Sequence, residues 1–370
     1  MSTETDLPVS IDFSFRDNQF HLALGPGEEE IAITTSLALD TSSSGFHFEV
    51  LPMAKKNLPE DAIHEVWYRG DSESDRRIGW VIPANALSSD QHDFALNEHF
   101  LKYAYATIRE VLDSLPELVR DALQGPVARR DQQVAFSDLF HDNVCFVIIC
   151  KELAGKEFDF DRAIPTLISF GFLPLSACDP AEIDWECRDV GTSGAKLKVR
   201  ATGLGVRRPE LPAKMMTIAA SSRGSAVTQF FYLYQVVELL MDEVLYAVLP
   251  NIGRKVTESI NEDQYFLLRD HLESLQSQLG EKARLKLMMK SFAAGEKEIE
   301  DLALASAIFL EAVGSSSREG VFLLYEVRNF IVHQARNIPI EAESQLQDVV
   351  FEFASFLPKI LHNFDRTSTV

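Results

Sequence analysis

Leu323-Leu324-Tyr325-Glu326-Val327-Arg328-Asn329-Phe330-Ile331-Val332-His333-Gln334-Ala335-Arg336 is the stretch that decides how the C-terminal part of this chain folds. At about 100° per residue, Leu323, Leu324, Val327, Phe330, Ile331 and Ala335 gather on one side of a helix, the side that faces a core. Tyr325, Asn329 and His333 recur at i, i+4 and i+8 along the opposite stripe, with Arg336 beside it. Arg328 lies at the border, about 140° round from His333. An ideal helix therefore does not aim these two side chains at one atom. Either the helix is distorted there, or a second copy across a two-fold axis completes the group.

Working outward, helical periodicity dominates everything after residue 225. Helices are expected near 226–249, 261–279, 281–293, 296–313, 317–336 and 341–363. Pro250, Gly280, Gly295, the run Gly314-Ser315-Ser316-Ser317 and Pro339 supply the stops. Short connections between amphipathic helices give an antiparallel bundle over 222–365. Ahead of it, Arg207-Arg208-Pro209 through Ser225 reads as a boundary, and residues 1–215 read as an α+β region with a further division open near 90–125. Val9–Leu24 alternates in part and ends at Gly25-Pro26-Gly27. Ile31–Leu39 and Phe46–Leu51 flank a hairpin-like loop at Thr41–Gly45, and short strands are expected at Glu65–Arg69 and Ile78–Pro83. Phe94–Leu123 is helical with an interruption near Pro116, Val134–Leu153 is ambiguous, and Ala163–Phe172 is helical. Ile183–Val190 and Ala195–Thr202 read as a hairpin around Gly191–Gly194. The fold class is thus an α+β N-terminal region followed by an all-α C-terminal bundle.

With 46% hydrophobic and 25% charged residues, the composition is that of an ordinary soluble globular chain. No signal peptide or membrane-spanning run is expected, and the location read from this is cytoplasmic. Cys145, Cys150, Cys178 and Cys187 show no paired CxxC spacing, Cys145 and Cys150 read as core thiols, and a reducing compartment fits. The net charge of −21 argues against a broad basic nucleic-acid groove. Residues 221–370 carry 14 basic and 21 acidic side chains, so the bundle is itself acidic. Any polyanion site there has to be compact.

The polar stripe supplies such a site. A guanidinium holds a phosphate, and an imidazole moves protons near neutral pH. Tyr234 and Glu238, at i and i+4 on the first helix of the bundle, could hold the arginine or histidine in place. Their structural alternative is a core aromatic and a surface acid. Lys282, Lys286 and Lys290, with Arg284 nearby, form a stripe that could track an RNA backbone, though such a stripe is more often a solvated helix face. His92, His99 and His141 stand near Asp93, Glu98 and Asp142, but the spacings match no metal-ligand pattern. Gly203-Leu204-Gly205 lacks the third glycine of a dinucleotide loop, and neither a phosphate-binding loop nor a nucleophile elbow is present.

Arg328-Asn329-x-x-x-His333 on an amphipathic helix, with Tyr325 three residues before the arginine, resembles the HEPN superfamily. Thr228-Gln229-Phe230-Phe231-Tyr232-Leu233-Tyr234-Gln235-Val236-Val237-Glu238 looks like that family's first helix, and the resemblance covers roughly 222–365. HEPN domains are small helical bundles of toxins and defence proteins. The resemblance implies a metal-independent endoribonuclease, a toxin or antiviral defence effector, without cofactor, acting as a homodimer through this helix. His333 would be general acid or base, Arg328 would stabilise charge on the phosphate, and Asn329 would orient the histidine or the phosphate. Attack by a 2′-hydroxyl would leave a 2′,3′-cyclic phosphate. The N-terminal region would sense, position or restrain, with a regulatory partner or ligand. Two alternatives stay open: a non-catalytic RNA- or nucleotide-binding bundle, and a dimerisation module with an antitoxin-like regulatory role.

Overall fold

The computed structural model describes residues 12–23, 30–42, 45–68, 75–115, 117–119, 133–156, 158–187, 193–261, 265–293, 297–315 and 322–364. The chain divides into two compact units that interleave along the sequence. One is Met1–Phe158, Phe172–Ile183 and Val190–Val199; the other is Asp159–Gly171, Asp184–Asp189 and Arg200–Val370.

The first unit is β-rich, with two sheets. Strands β1 (Asp12–Arg16), β2 (Gln19–Ala23), β3 (Ile31–Thr34) and β7 (Gln133–Ala135) form a sheet in the order β1-β2-β3-β7. The second sheet runs β10-β5-β6-β8-β4-β9. Its strands are β4 (Phe48–Ala54), β5 (His64–Tyr68), β6 (Arg76–Pro83), β8 (Val144–Cys150), β9 (Leu173–Pro174) and β10 (Lys196–Val199). Within the ambiguous stretch Val134–Leu153, β8 (Val144–Cys150) is buried at every residue and sits between β6 and β4. A strand covered on both faces shows no alternation, which is why periodicity could not read it.

Helix α1 (Glu98–Ser114) shares one core with both sheets. Tyr105 stacks on Phe20 of β2 at 5.6 Å, while Tyr103 meets Phe48 of β4 at 5.2 Å and Phe100 meets Trp80 of β6 at 5.7 Å. Residues two apart on a helix point about 200° apart, so α1 presents aromatic rings to strands on two opposite sides. Asn97 caps its first turn by accepting from the Phe100 amide.

Three expectations for this unit need correction. Val9–Leu24 is not one strand running to Gly25: the chain reverses at Asp17-Asn18, whose φ values of 52° and 58° suit a tight hairpin turn. Residues 25–27 lie outside the described residues. Segments β3 and β4 do not pair with each other, since they belong to different sheets. Finally, β10 pairs in parallel with β5 rather than antiparallel with the segment before it. Residues 183–187 carry no strand, and Gly191-Thr192 lies outside the described residues.

The second unit is helical. After α2 (Lys151–Ala154), which belongs to the β-rich unit, come α3 (Phe160–Ser169), α4 (Glu210–Ser221), α5 (Ala226–Asn261) and α6 (Tyr265–Leu279). Then follow α7 (Glu281–Phe292), α8 (Lys297–Ala312), α9 (Leu323–Gln334) and α10 (Glu343–Asn363). Helix α3 lies within the sequence expected to be N-terminal, yet its backbone is tied to this unit. The Thr202 amide donates to the Arg162 carbonyl at 2.9 Å, and the Gly203 amide to the Leu361 carbonyl at 2.8 Å. Helix α10 runs through the core on Leu346, Val349, Phe353, Phe356, Leu357 and Ile360. Phe353 meets Phe230 of α5 at 5.6 Å, and Phe309 of α8 meets Phe330 of α9 at 5.9 Å.

Helix α5 does not stop at Pro250 as expected; it continues to Asn261. Proline in a helix interior removes one backbone bond and costs about 3 kcal/mol. Beyond it, Ile252 and Ser259 are buried, and that tertiary packing offsets the local cost.

Candidate functional site

Helix α9 is regular across Leu323–Gln334, and a 3₁₀ turn, Ala335–Asn337, follows it. Leu323, Leu324, Val327, Phe330 and Ile331 are buried, as periodicity requires, whereas Ala335 falls in the turn and is half-buried. No distortion brings Arg328 and His333 together. Arg328 turns toward α5 and α7, while His333, in the last helical turn, is exposed.

The surroundings of Arg328 are specific. Its Nη2 lies 3.6 Å from Glu238 Oε1, and its Nε lies 3.9 Å from Glu281 Oε1. Its Nη1 donates to Asn329 Oδ1 at 3.2 Å, and the guanidinium stands 5.7 Å from the centre of the Tyr234 ring. Tyr234 is buried against Phe230 and donates its hydroxyl to Glu281 Oε1 at 3.0 Å. Burial first, and the Glu281 charge second, push that hydroxyl well above the ordinary tyrosine range. It is therefore a neutral donor, not a proton carrier near pH 7. The guanidinium side chain is 25% exposed, held on one face by an aromatic ring and flanked by two carboxylates.

The structure thus gathers Arg328, Asn329, Tyr234 and Glu238 around one point. Tyr325 stands one turn away, half-buried beneath the Lys282 ammonium at 5.1 Å, and Lys282 also pairs with Glu326 at 3.3 Å. Lys282, Lys286 and Lys290 are all exposed on the outer face of α7, opposite Leu285, Met288, Met289 and Phe292. Arg284 is engaged by Asp242 at 2.6 Å. Arg336 is exposed in the turn after α9.

Glu281 was missed by sequence reading. It opens α7 directly after Gly280, where an acidic residue is explained by the helix dipole alone. Its contacts with Tyr234 and Arg328 arise from helix packing and leave no trace in spacing. Glu281→Gln is expected to keep the Tyr234 hydrogen bond and lose one arm of the ion pair. Because these groups are partly exposed, the unfolding midpoint should fall by an amount equivalent to about 1 kcal/mol or less. A larger loss in thermal unfolding would show the pair to be a structural keystone.

Elsewhere, His92 bonds the Ala86 carbonyl at 3.1 Å and packs on Phe100, a core role. Among the described residues, no group of three or more His, Cys, Asp or Glu side chains converges as metal ligands would. Also among them, no helix is long and apolar enough to cross a membrane. Comparison of the chain with models of known families, with characterised proteins and with solved structures returned no match.

Proposed function

We propose that the helical unit is a metal-independent endoribonuclease of HEPN type, a toxin or defence effector that works as a homodimer. The observation that carries this reading is the seating of Arg328. A guanidinium fixed by Tyr234, Glu238, Asn329 and Glu281 has surrendered its side-chain freedom before any ligand arrives, which lowers the cost of holding a phosphate in one geometry. His333, exposed on the same helix, is free to serve a substrate as general acid or base.

The geometry of α9 supports a second copy. A regular α9 keeps Arg328 and His333 of one chain apart, so a two-fold pairing is the economical way to unite them. Val332, 44% exposed beside His333, and Ile340 beyond Arg336 supply apolar surface for such a pairing. In the reaction, the 2′-hydroxyl loses its proton as it attacks the adjacent phosphorus, the 5′-oxygen leaves with a proton, and a 2′,3′-cyclic phosphate forms. His333 handles one of these protons, and Arg328 neutralises charge on the non-bridging oxygens.

The carboxylates around Arg328 oppose a polyanion, so ground-state affinity for RNA should be weak, and the positive charge is felt mainly as phosphate charge builds. The same double ion pair favours a second reading, in which Arg328 is only an interhelical tie and the bundle is a dimerisation module without cleavage. One experiment separates them. Purified protein is incubated with total RNA in EDTA, the RNA ends are characterised, and the protein is sedimented. The expected result is cleavage that survives chelation, leaves cyclic or 3′-phosphate ends, and comes from a dimer. Activity that vanishes in EDTA and returns with magnesium would overturn the mechanism. Absence of any cleavage would select the second reading.

A further inference from the structure

The β-rich unit contains a cavity of about 590 Å³, within the range of about 300–1,000 Å³ typical of small-molecule sites. Strands β4, β5 and β6, helix α1 and the residues around α2 surround it. In a chain of net charge −21, the described residues that line this cavity include Arg77, Lys102 and His99 and no carboxylate. The rest of the wall is aromatic and apolar, with Phe46, Trp67, Tyr103 and Leu153 among its members.

Arg77 and Lys102 have acidic partners outside the described cavity lining. Arg77 Nη1 donates to Glu65 Oε1 at 2.6 Å, and its guanidinium packs on Trp80 at 5.0 Å. The same Glu65 accepts from Trp67 Nε1 at 2.8 Å, so one carboxylate orients both a cation and a ring of the wall. Lys102 Nζ lies 3.7 Å from Asp40 Oδ2, a loose ion pair on a side chain that is 38% exposed. Among the described residues Arg77 is paired with Glu65 and Lys102 stands near Asp40, so the wall suits an anion of low charge rather than a polyphosphate.

Two exposed apolar side chains add an independent observation. Phe46 is 52% exposed and Leu153 is 41% exposed, and both face this cavity. Apolar surface of that kind at the mouth of a cation-lined cavity gains from being covered by a ring. Covalent chemistry has no support here. Cys150, at the cavity wall, donates to Glu152 Oε2 at 3.4 Å, and its burial pushes the thiol above its usual value, so it stays protonated.

We propose that this cavity binds a small anion built on a flat aromatic body, of the nucleoside monophosphate class. Phe46 and Trp67 cover the ring, and Arg77 and Lys102 take the phosphate. The inference is independent of the ribonuclease reading, since every lining residue belongs to the β-rich unit.

The test is calorimetric titration of the full chain with AMP, UMP, adenosine and inorganic phosphate, with tryptophan fluorescence as a second readout. At least one monophosphate should bind, and at least tenfold more tightly than adenosine or phosphate alone. Lys102→Gln should weaken that binding about tenfold or more, the usual loss for a hydrogen bond to a charged group, and leave adenosine unaffected. Phe46→Ala should weaken both the monophosphate and adenosine. Both side chains are partly exposed, so circular dichroism and thermal unfolding should match the wild type. Failure of both monophosphates to bind at millimolar concentration would overturn the proposal. So would phosphate binding as tightly as AMP, or an affinity unchanged in both variants.

Discussion

Replacement of His333 by alanine is expected to reduce RNA cleavage by about 10²–10⁴-fold, the usual cost of losing a general acid or base. The fold should survive, because His333 is exposed in the last turn of α9. Arg328→Lys should cost activity as well. Lysine keeps the charge but cannot present a planar fork to the phosphate while its neighbours hold it from the side. It would also lose its stacking on Tyr234 and its bond to Asn329. The two variants therefore differ in kind: His333→Ala should leave the unfolding midpoint unchanged, whereas Arg328→Lys should lower it slightly. Gel assay of RNA fragments beside thermal unfolding reads both. A His333→Ala protein that cuts at the wild-type rate would sink the assignment of the histidine.

Gly79→Ala is expected to destabilise the β-rich unit more than alanine at Gly45, Gly155 or Gly194, where an added Cβ meets no backbone atom. A Cβ at Gly79 would meet the Ile148 carbonyl oxygen at 1.9 Å and the Ile148 carbonyl carbon at 2.9 Å, both backbone atoms of the neighbouring strand. Backbone in a central strand cannot rotate aside as a side-chain tip can. Gly79 also stands where the β5–β6 register shifts, between the Val66–Gly79 and Trp67–Arg77 pairs, the kind of irregularity that glycine marks in strands. Overpacking a core typically costs about 1–3 kcal/mol and occasionally more, and a clash with central backbone belongs at or above the upper end. The variant should lose the environment of Trp80, which is buried next to this residue, and its fluorescence should report an opened core. A midpoint within a degree of the wild type would refute this account of the β6–β8 pairing.

The sequence by itself determined the helical architecture of the C-terminal part and which face of α9 is buried. The reason is that helix periodicity is local: five of the six residues placed on the core side of α9 are buried because spacing alone set their direction. It also placed Arg328, Asn329 and His333 together on one helix as candidates for chemistry, since residue type and spacing suffice to nominate them. Only the tertiary structure decided the rest. Whether Pro250 ended α5 depended on burial of residues beyond it, which no propensity records. Strand partners were equally out of reach, because β3 and β4 are close in sequence and pair in different sheets, while β10 finds β5 across more than a hundred residues. The cluster around Arg328 follows the same rule. Tyr234 and Glu281 are 47 residues apart and meet only because α5, α7 and α9 pack together. The cavity beside Arg77 and Lys102 likewise has walls from five separate stretches of chain. Local periodicity writes helices and their faces into the sequence; pairing, pockets and ion clusters are contacts between segments, and they exist only once the segments are packed.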